Sequence, residues 1–238
     1  MQARPARAKA SRYERSRALA NLAALLALSL LSGCATPPAA REPLNLDTAK
    51  AAVVRYHDSG DYARDLAAVA VEARAWIEQR AARRAPAERL AVVFDIDETL
   101  LSNYPHIAAQ GFGYVPREWA AWVARGEAPA LAPVREVFLA ARKLGLAVFL
   151  VTGREEPRDR AATEANLRRA GLGDYTRLIM LPAGGQRRTN AEYKTAARRT
   201  LTDEGYTIIA NLGDQASDLT GGHAERTFKL PNPLYLAE

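Results

Sequence analysis

Short, uninterrupted runs of apolar residues restrict the fold of this chain more than any other feature. Each run has five to seven residues, which suits a strand and is too short for a buried helix. Apolar and polar residues do not alternate along the runs, so both faces of each strand must be covered. Stretches with helical spacing separate them. The sequence therefore predicts an α/β fold, a doubly wound parallel sheet, with strands at Leu90–Phe94, Leu146–Val151, Arg177–Leu181 and Tyr206–Leu212; the more polar segment Arg226–Leu230 is a candidate for a fifth.

Capping residues, prolines and glycines mark the helices that this pattern requires. Asp61 and Asn190 are expected to act as N-caps, because their side chains can accept hydrogen bonds from free backbone N–H groups. The predicted helices are Asp47–His57, one from Asp61 that ends before Pro86, one opened by Pro133 and closed by Gly145, Pro157–Ala170, and Asn190–Glu204.

Polar residues follow three of the predicted strands. The carboxyl ends of parallel strands meet at one edge of a sheet, and ligands bind there. We therefore expect these residues to lie together; an inert acidic rim is the alternative. They are Asp95 and Asp97 after the first strand, Thr152 and Gly153 after the second, and Asp214 after the fourth.

Such a set of groups suits phosphoryl transfer. Three carboxylates without histidine or cysteine favour Mg²⁺ over zinc. Asp95 could then attack phosphorus, while Asp97 protonates the leaving oxygen and later deprotonates water. Thr152 and the amide of Gly153 could hold phosphate oxygens, and a lysine would add positive charge.

The segments FDIDETLL, VTGR, a downstream lysine and GDQASD resemble, in this order, the four motifs of the haloacid dehalogenase superfamily of phosphatases. The end of the chain, with GDQASDLTGG and RTFKLPNPLY, resembles its acid phosphatase subfamily more narrowly. That subfamily includes plant acid phosphatases, vegetative storage proteins and bacterial lipoprotein acid phosphatases. The resemblance covers roughly residues 45–238 and implies a Rossmann-like sheet of the haloacid dehalogenase type.

This resemblance also implies individual roles. Asp95 matches the nucleophile, Asp97 the acid and base, and Lys194 the lysine that stabilises the phosphoryl group. Asp214 matches the aspartate that binds the metal beside the Asp95 carboxylate and the Asp97 backbone carbonyl. Asp218 matches an acid that supports the site, with an ordinary helix cap as its alternative. Lys194 has a competing interpretation as a solvent-facing lysine, since its helix carries several arginines.

Residues 101–132, between the first two motifs, are rich in aromatic side chains and predict a small helical cap insertion. The aromatic rings could stack on the base or ring of a substrate. Alternatively, Trp119 and Trp122, one helical turn apart, anchor the cap on the core. His106 is a candidate for the pocket, whereas His57 and His223 are expected to be structural or on the surface.

The N-terminal residues 1–33 predict a lipoprotein signal peptide. A basic segment precedes the uncharged stretch Ala18–Leu31, which is shorter than the roughly 20 residues that a membrane span needs. The stretch ends in Leu31-Ser32-Gly33-Cys34, which resembles the lipobox of bacterial lipoproteins. The resemblance implies lipid attachment at Cys34. The Pro/Ala-rich residues that follow predict a tether over 34–44, and the phosphatase domain is then expected over 45–238. Ala35 after the cysteine resembles proteins sorted to the outer membrane.

Most of the net positive charge of the chain lies in residues 1–33. The whole chain has a formal net charge of +6, and these residues hold six basic side chains and one acidic one, so +1 remains. The expected partners are therefore a small phosphomonoester and, through Cys34, a membrane, but no nucleic acid.

The function predicted from sequence is Mg²⁺-dependent hydrolysis of small organic phosphates such as nucleotides, through an aspartyl-phosphate. Two alternatives stay open. One is a non-catalytic surface or storage protein on the same scaffold, which the intact Asp95 disfavours. The other is phosphotransfer to an acceptor other than water.

Overall fold

A computed structural model describes residues 43–184 and 189–237, and at its centre lies a five-stranded parallel sheet. The predicted doubly wound α/β fold is confirmed, including the short fifth strand. The order across the sheet is third, second, first, fourth and fifth strand. In chain order the strands are β1 (Arg89–Phe94), β2 (Ala147–Glu155), β3 (Arg177–Leu181), β4 (Tyr206–Gly213) and β5 (Thr227–Lys229).

Helices cover both faces of this sheet. Val92 and Phe94 of β1 lie in one hydrophobic cluster, while Ala91 and Val93 lie in the other. Every one of these side chains is at most 1% exposed, and burying a valine or phenylalanine side chain contributes about 1.5–3 kcal/mol. Burial on both faces explains why the strands read as continuous apolar runs. The helices are α1 (Leu46–Asp58), α2 (Asp61–Ala81), α3 (Tyr104–Ala109), α4 (Pro116–Arg125), α5 (Ala132–Lys143), α6 (Arg160–Arg169), α7 (Asn190–Asp203) and α8 (Ala216–Leu219).

Two predicted N-caps and one predicted helix start are wrong, although the helices from Asp61 and Asn190 begin where the sequence predicts. Asn190 is the first residue of α7, and Thr189 is its N-cap, in a capping box with Glu192. Asp61 likewise begins α2 after Gly60, and it pairs with Arg64 instead of capping. Each competing capping group lies one residue from the predicted cap, a distance that sequence patterns resolve poorly.

The third difference is larger. The helix expected from Pro157 begins at Arg160 as α6, because residues 156–159 form a turn. Asp159 closes this turn by accepting a hydrogen bond from the Glu155 backbone N–H at 3.0 Å. A proline fits the turn as well as it fits the first turn of a helix.

Helices α3 and α4 lie in the chain between β1 and α5, within the segment that sequence predicts to be a cap. The extent of the cap insertion, 101–132, and the other domain limits remain predictions. Residues 1–33 and Cys34 lie outside the described residues. None of the helices that the structure describes has the length and hydropathy of a membrane span.

The topology places a crevice beside β1. From β1 the chain moves to β2 and β3 on one side, and then returns to add β4 and β5 on the other. β1 and β4 are therefore the neighbours at which the winding direction reverses. In doubly wound sheets, ligands bind beyond the carboxyl ends of such a pair.

Candidate active site

Asp95 and Asp214 directly follow β1 and β4, so both carboxylates lie at this crevice. They are 6% and 2% exposed, respectively. The Asp95 backbone N–H still donates to the Leu212 carbonyl of β4 at 3.0 Å, which extends the pairing of the strands to the site itself. The fold thus fixes the two aspartates through the backbone, as the strand-end argument predicts.

Gly213 lets a third carboxylate fold back onto the same place. A Cβ atom on Gly213 would lie 2.4 Å from Cβ of Asp218, closer than two such carbons can approach. Because Gly213 has no side chain, Asp218 can turn toward the strand end. There its Oδ2 accepts a hydrogen bond from the Gln215 backbone N–H at 2.8 Å. The two interpretations of Asp218 are compatible, because it belongs to the capping box of α8 and faces the site.

Lys194 reaches this group of carboxylates from α7. Its Nζ donates to Oδ1 of Asp95 at 2.6 Å and to Oδ1 of Asp218 at 2.5 Å. Lys194 is 6% exposed, so its interpretation as a solvent-facing lysine is wrong. Burial alone would lower the pKa of Lys194, but Asp95 and Asp218 outweigh it and raise the pKa, which keeps the ammonium charged.

The carboxylates around Lys194 favour a bound cation, because they outnumber its single positive charge. Oxygens of Asp95, Asp214 and Asp218 lie within 4.8 Å of one another. Burial raises the pKa of Asp95 and of Asp214, and neighbouring carboxylates add to the rise, since one ammonium cannot neutralise three acids. A hard divalent ion with oxygen ligands would relieve this repulsion. The donor set thus fits Mg²⁺.

Three groups hold the Asp214 carboxylate in place. Its Oδ1 accepts from Thr99 at 3.1 Å, and its Oδ2 accepts from Gln215 at 2.6 Å and from Asn232 at 2.7 Å. Asn232 belongs to the segment after β5, so the end of the described chain helps to build the site.

The Asp97 side chain faces elsewhere. Arg154, directly after Thr152-Gly153, donates from Nη2 to its Oδ1 at 2.6 Å and from Nε to its Oδ2 at 3.1 Å. Asn103 donates to Oδ1 at 2.9 Å. Burial raises the pKa of Asp97, but Arg154 and Asn103 lower it by more than burial raises it. The net shift of the pKa is therefore downward. The side chain is thus ionised at rest, and the metal contact through its backbone carbonyl remains a prediction.

Thr152 is fully buried at the end of β2, which excludes its interpretation as a simple turn residue. Its Oγ1 accepts the backbone N–H of Arg154 at 3.2 Å, which orients the hydroxyl within the strand end. Gly153 is exposed and lines the cavity described next. Both residues thus lie at the predicted edge of the sheet.

A cavity of about 920 Å³ opens beside Asp97 and Gly153. Three of the cap aromatics line it (Phe112, Tyr114 and Trp119), as do His106 and residues 234–237. Trp122 is absent from its wall and is 7% exposed. Trp122 thus belongs to the hydrophobic core, as the anchoring alternative predicts, whereas Trp119 packs against the same core and also lines the cavity.

Sequence reasoning missed several polar residues of the site. Glu98 is 1% exposed, and it accepts hydrogen bonds from Asn103 and from the hydroxyl of Tyr235 at 2.8 Å. Burial, with the nearby charge of Asp97, raises the pKa of Glu98 to about 8. Arg154 had a sequence signal, its place at the strand end in VTGR. Asn232 lies in the segment RTFKLPNPLY, which carries the subfamily resemblance but assigned it no role, and Asn103 had no signal.

Comparison with protein families gives one match over most of the chain. The family described as HAD superfamily, subfamily IIIB (acid phosphatase) matches residues 20–238. The matched region includes every polar residue of the site described above.

Known proteins agree with this match. Acid phosphatase 1 of Solanum lycopersicum is 42% identical over 147 residues, which cover 60% of this chain and 57% of that protein. Vegetative storage protein 1 of Arabidopsis thaliana is 35% identical over 147 residues, covering 60% and 54%. The chain thus spans little more than half the length of these curated relatives. The class C acid phosphatase from Bacillus anthracis has the same fold, with a TM-score of 0.64 at 23% identity over 80% of this chain and 86% of that one.

Proposed function

We propose that this chain, which belongs to subfamily IIIB of the HAD superfamily, the acid phosphatases, hydrolyses phosphomonoesters through a phosphoryl group carried on Asp95. One observation carries the proposal. The Asp95 carboxylate is buried at the end of β1, where Lys194 contacts it and two further carboxylates lie beside it. Burying several carboxylates together costs free energy of folding. Such a cluster is typical of a functional site in which a bound ligand neutralises the excess charge.

In the first step, an oxygen of Asp95 attacks phosphorus, and the bond between phosphorus and the ester oxygen breaks. Asp97 gives its proton to the departing oxygen. Because Arg154 lowers the pKa of Asp97, this proton is present only in acidic solution, which agrees with an acid phosphatase.

In the second step, Asp97, now a carboxylate, takes a proton from water, and the oxygen of that water attacks the phosphorus of the aspartyl-phosphate. The bond to Asp95 breaks, phosphate leaves, and both side chains return to their starting forms. Thr152 and the backbone of Gly153 would hold phosphate oxygens, and Lys194 would balance their charge throughout.

Mg²⁺ is the proposed cofactor, held by Asp95, by Asp214 and by the backbone carbonyl of Asp97, with Asp218 in support. When bound, it would reduce the repulsion between the phosphate and the carboxylates. The aromatic wall of the cavity suits a phosphate ester with a flat ring, and a nucleotide is the proposed example.

Purified protein should release phosphate from p-nitrophenyl phosphate, with a rate that rises in acidic buffer. EDTA should abolish the release, because the carboxylates would then repel the substrate, and added Mg²⁺ should restore it. Colorimetric assay of p-nitrophenol measures both effects. The control is protein treated with the preformed Mg²⁺–EDTA complex, which cannot remove the metal and should leave the rate unchanged.

A folded protein that releases no phosphate at any pH, with or without metal, would instead be a storage or surface protein on this scaffold. If p-nitrophenol appears faster than free phosphate when an alcohol or nucleoside is added, the enzyme transfers the phosphoryl group to that acceptor instead of water.

We also propose that the protein is exported and anchored through a lipid on Cys34, on the outer membrane and facing the periplasm or the cell surface. The apolar stretch before Cys34 and the small residues Ser32 and Gly33 support this proposal.

Cys34→Ser should leave the protein unlipidated. Expressed in a Gram-negative host with labelled palmitate, the full-length protein should incorporate label and fractionate with membranes, whereas the variant should do neither. Ser32→Ala, which keeps a small residue before the cysteine, is the matched control and should stay labelled. Equal labelling of Cys34→Ser and the full-length protein would contradict the anchor.

A further inference from the structure

Trp122 of α4 makes a hydrogen bond that connects the cap to the site. Its indole Nε1–H donates to Oδ1 of Asn103 at 2.7 Å, and both side chains are buried. The same indole ring stacks on His106, with ring centres 5.4 Å apart and planes at 9°. Trp122 therefore does more than fill space, because its polar edge has a specific acceptor.

This bond fixes which end of the Asn103 amide points at Asp97. An indole N–H can only donate, so it must face the amide oxygen. The amide Nδ2 then points the other way, toward Oδ1 of Asp97 at 2.9 Å and Oε2 of Glu98 at 3.0 Å. A flipped amide would set two donors against each other and an oxygen against two carboxylates.

The two oxygens of Asp97 are consequently unequal. Oδ1 accepts from Asn103 and twice from Arg154, at 2.6 and 3.2 Å. Among the described residues, Oδ2 accepts one hydrogen bond, from Nε of Arg154 at 3.1 Å. An oxygen that already accepts three hydrogen bonds is a poor place for a proton, whereas Oδ2 retains a free lone pair.

We propose that Asn103, oriented by Trp122, is a positioning residue that holds Oδ1 of Asp97 and leaves Oδ2 to carry the proton to the leaving group. The proposal rests on the phosphatase function proposed above. It links the cap to catalysis, since Trp119 of the same helix and His106 beneath Trp122 both line the cavity.

Trp122→Phe tests the proposal, because it keeps an aromatic ring while it removes the indole N–H together with the five-membered part of the ring. The matched control is Trp76→Phe, which removes an indole N–H that donates to the Ile209 carbonyl, also at 2.7 Å. Asn103→Asp is a second variant. It keeps the shape and the acceptor for Trp122, but it replaces the amide donor to Asp97 with an oxygen that repels the Asp97 carboxylate.

The readout is kcat/KM for an alkyl phosphate relative to p-nitrophenyl phosphate. An alkoxide needs a proton in order to leave, whereas p-nitrophenolate leaves without one, so only the alkyl ester depends strongly on Asp97. Trp122→Phe should lower this ratio about tenfold and Asn103→Asp about 100-fold; both are partial losses beside the roughly 10²–10⁴-fold that general acid catalysis contributes. Trp76→Phe should leave the ratio unchanged.

An equal fall for both substrates in Trp122→Phe and Asn103→Asp, with an unchanged ratio, would overturn the positioning role and leave the phosphatase function intact. If Trp122→Phe does not fold, the ratio of the two kcat/KM values in Asn103→Asp tests the positioning role by itself. Wild-type protein that hydrolyses neither ester would refute the phosphatase function, and the positioning role with it.

Discussion

Asp95→Asn should stop phosphate release while the protein still folds. An amide oxygen is a far weaker nucleophile than a carboxylate, so kcat should fall by about 10⁴-fold or more, as it does when a nucleophile is lost. The fold should survive, because Asn has the same shape and Lys194 keeps its contact with Asp218. Steady-state kinetics with p-nitrophenyl phosphate measures the loss, and thermal unfolding checks the fold.

Asp174→Asn is the matched control. This aspartate lies on the surface, with a side chain 76% exposed, and it pairs with Arg142. The variant should keep wild-type kinetics. Substantial turnover by a folded Asp95→Asn variant, above what contaminating wild-type protein could supply, would exclude Asp95 as the nucleophile.

Lys194→Met should have the second largest effect, on both stability and activity. It removes the buried ammonium from between Asp95 and Asp218 and leaves the carboxylates uncompensated. Breaking a buried ion pair in this way costs about 3–5 kcal/mol. Phosphate release should also be lost, since the ammonium that would balance the phosphoryl group is then missing. Urea unfolding in EDTA gives the free energy, and Lys143→Met, on the exposed face of α5, is the control.

The pH dependence of this variant has a defined sign. Burial already raises the pKa of Asp95 above its unfolded value, and Lys194 opposes the rise. Without Lys194 the folded-state pKa rises further. A raised pKa gives stability that is present in acid and is lost as the pH rises through the folded value. The deficit of Lys194→Met should therefore be small in acidic buffer and large at neutral pH. An equal deficit at both would contradict the buried charge cluster.

The parts of the fold that sequence predicts are those set by local pattern. The run Leu90–Phe94 is apolar at every position because both faces of β1 are buried. This pattern can be recognised in the sequence without knowing which helices and strands pack on β1. The gathering of Asp95 and Asp214 follows from the same logic, since both come directly after strands of one parallel sheet.

The parts that sequence did not predict depend on contacts between distant segments. Asn103 contacts Trp122, which lies 19 residues further along the chain, and Asn232 reaches Asp214 from beyond β5. No periodicity records such contacts. Lys194 shows an intermediate case: the family resemblance selected it, while position alone could not separate it from Arg198. Arg198 instead donates to the backbone carbonyls of Asp218 and Gly222 and so holds the loop after β4.

Trapping the covalent intermediate tests the central claim most directly. Wild-type protein mixed with substrate and quenched in acid should contain one phosphoryl group, located by peptide mass spectrometry on Asp95, and Asp95→Asn should contain none. A phosphoryl group on a different residue, or fast turnover with an unmodified Asp95 at every quench time, would contradict the account.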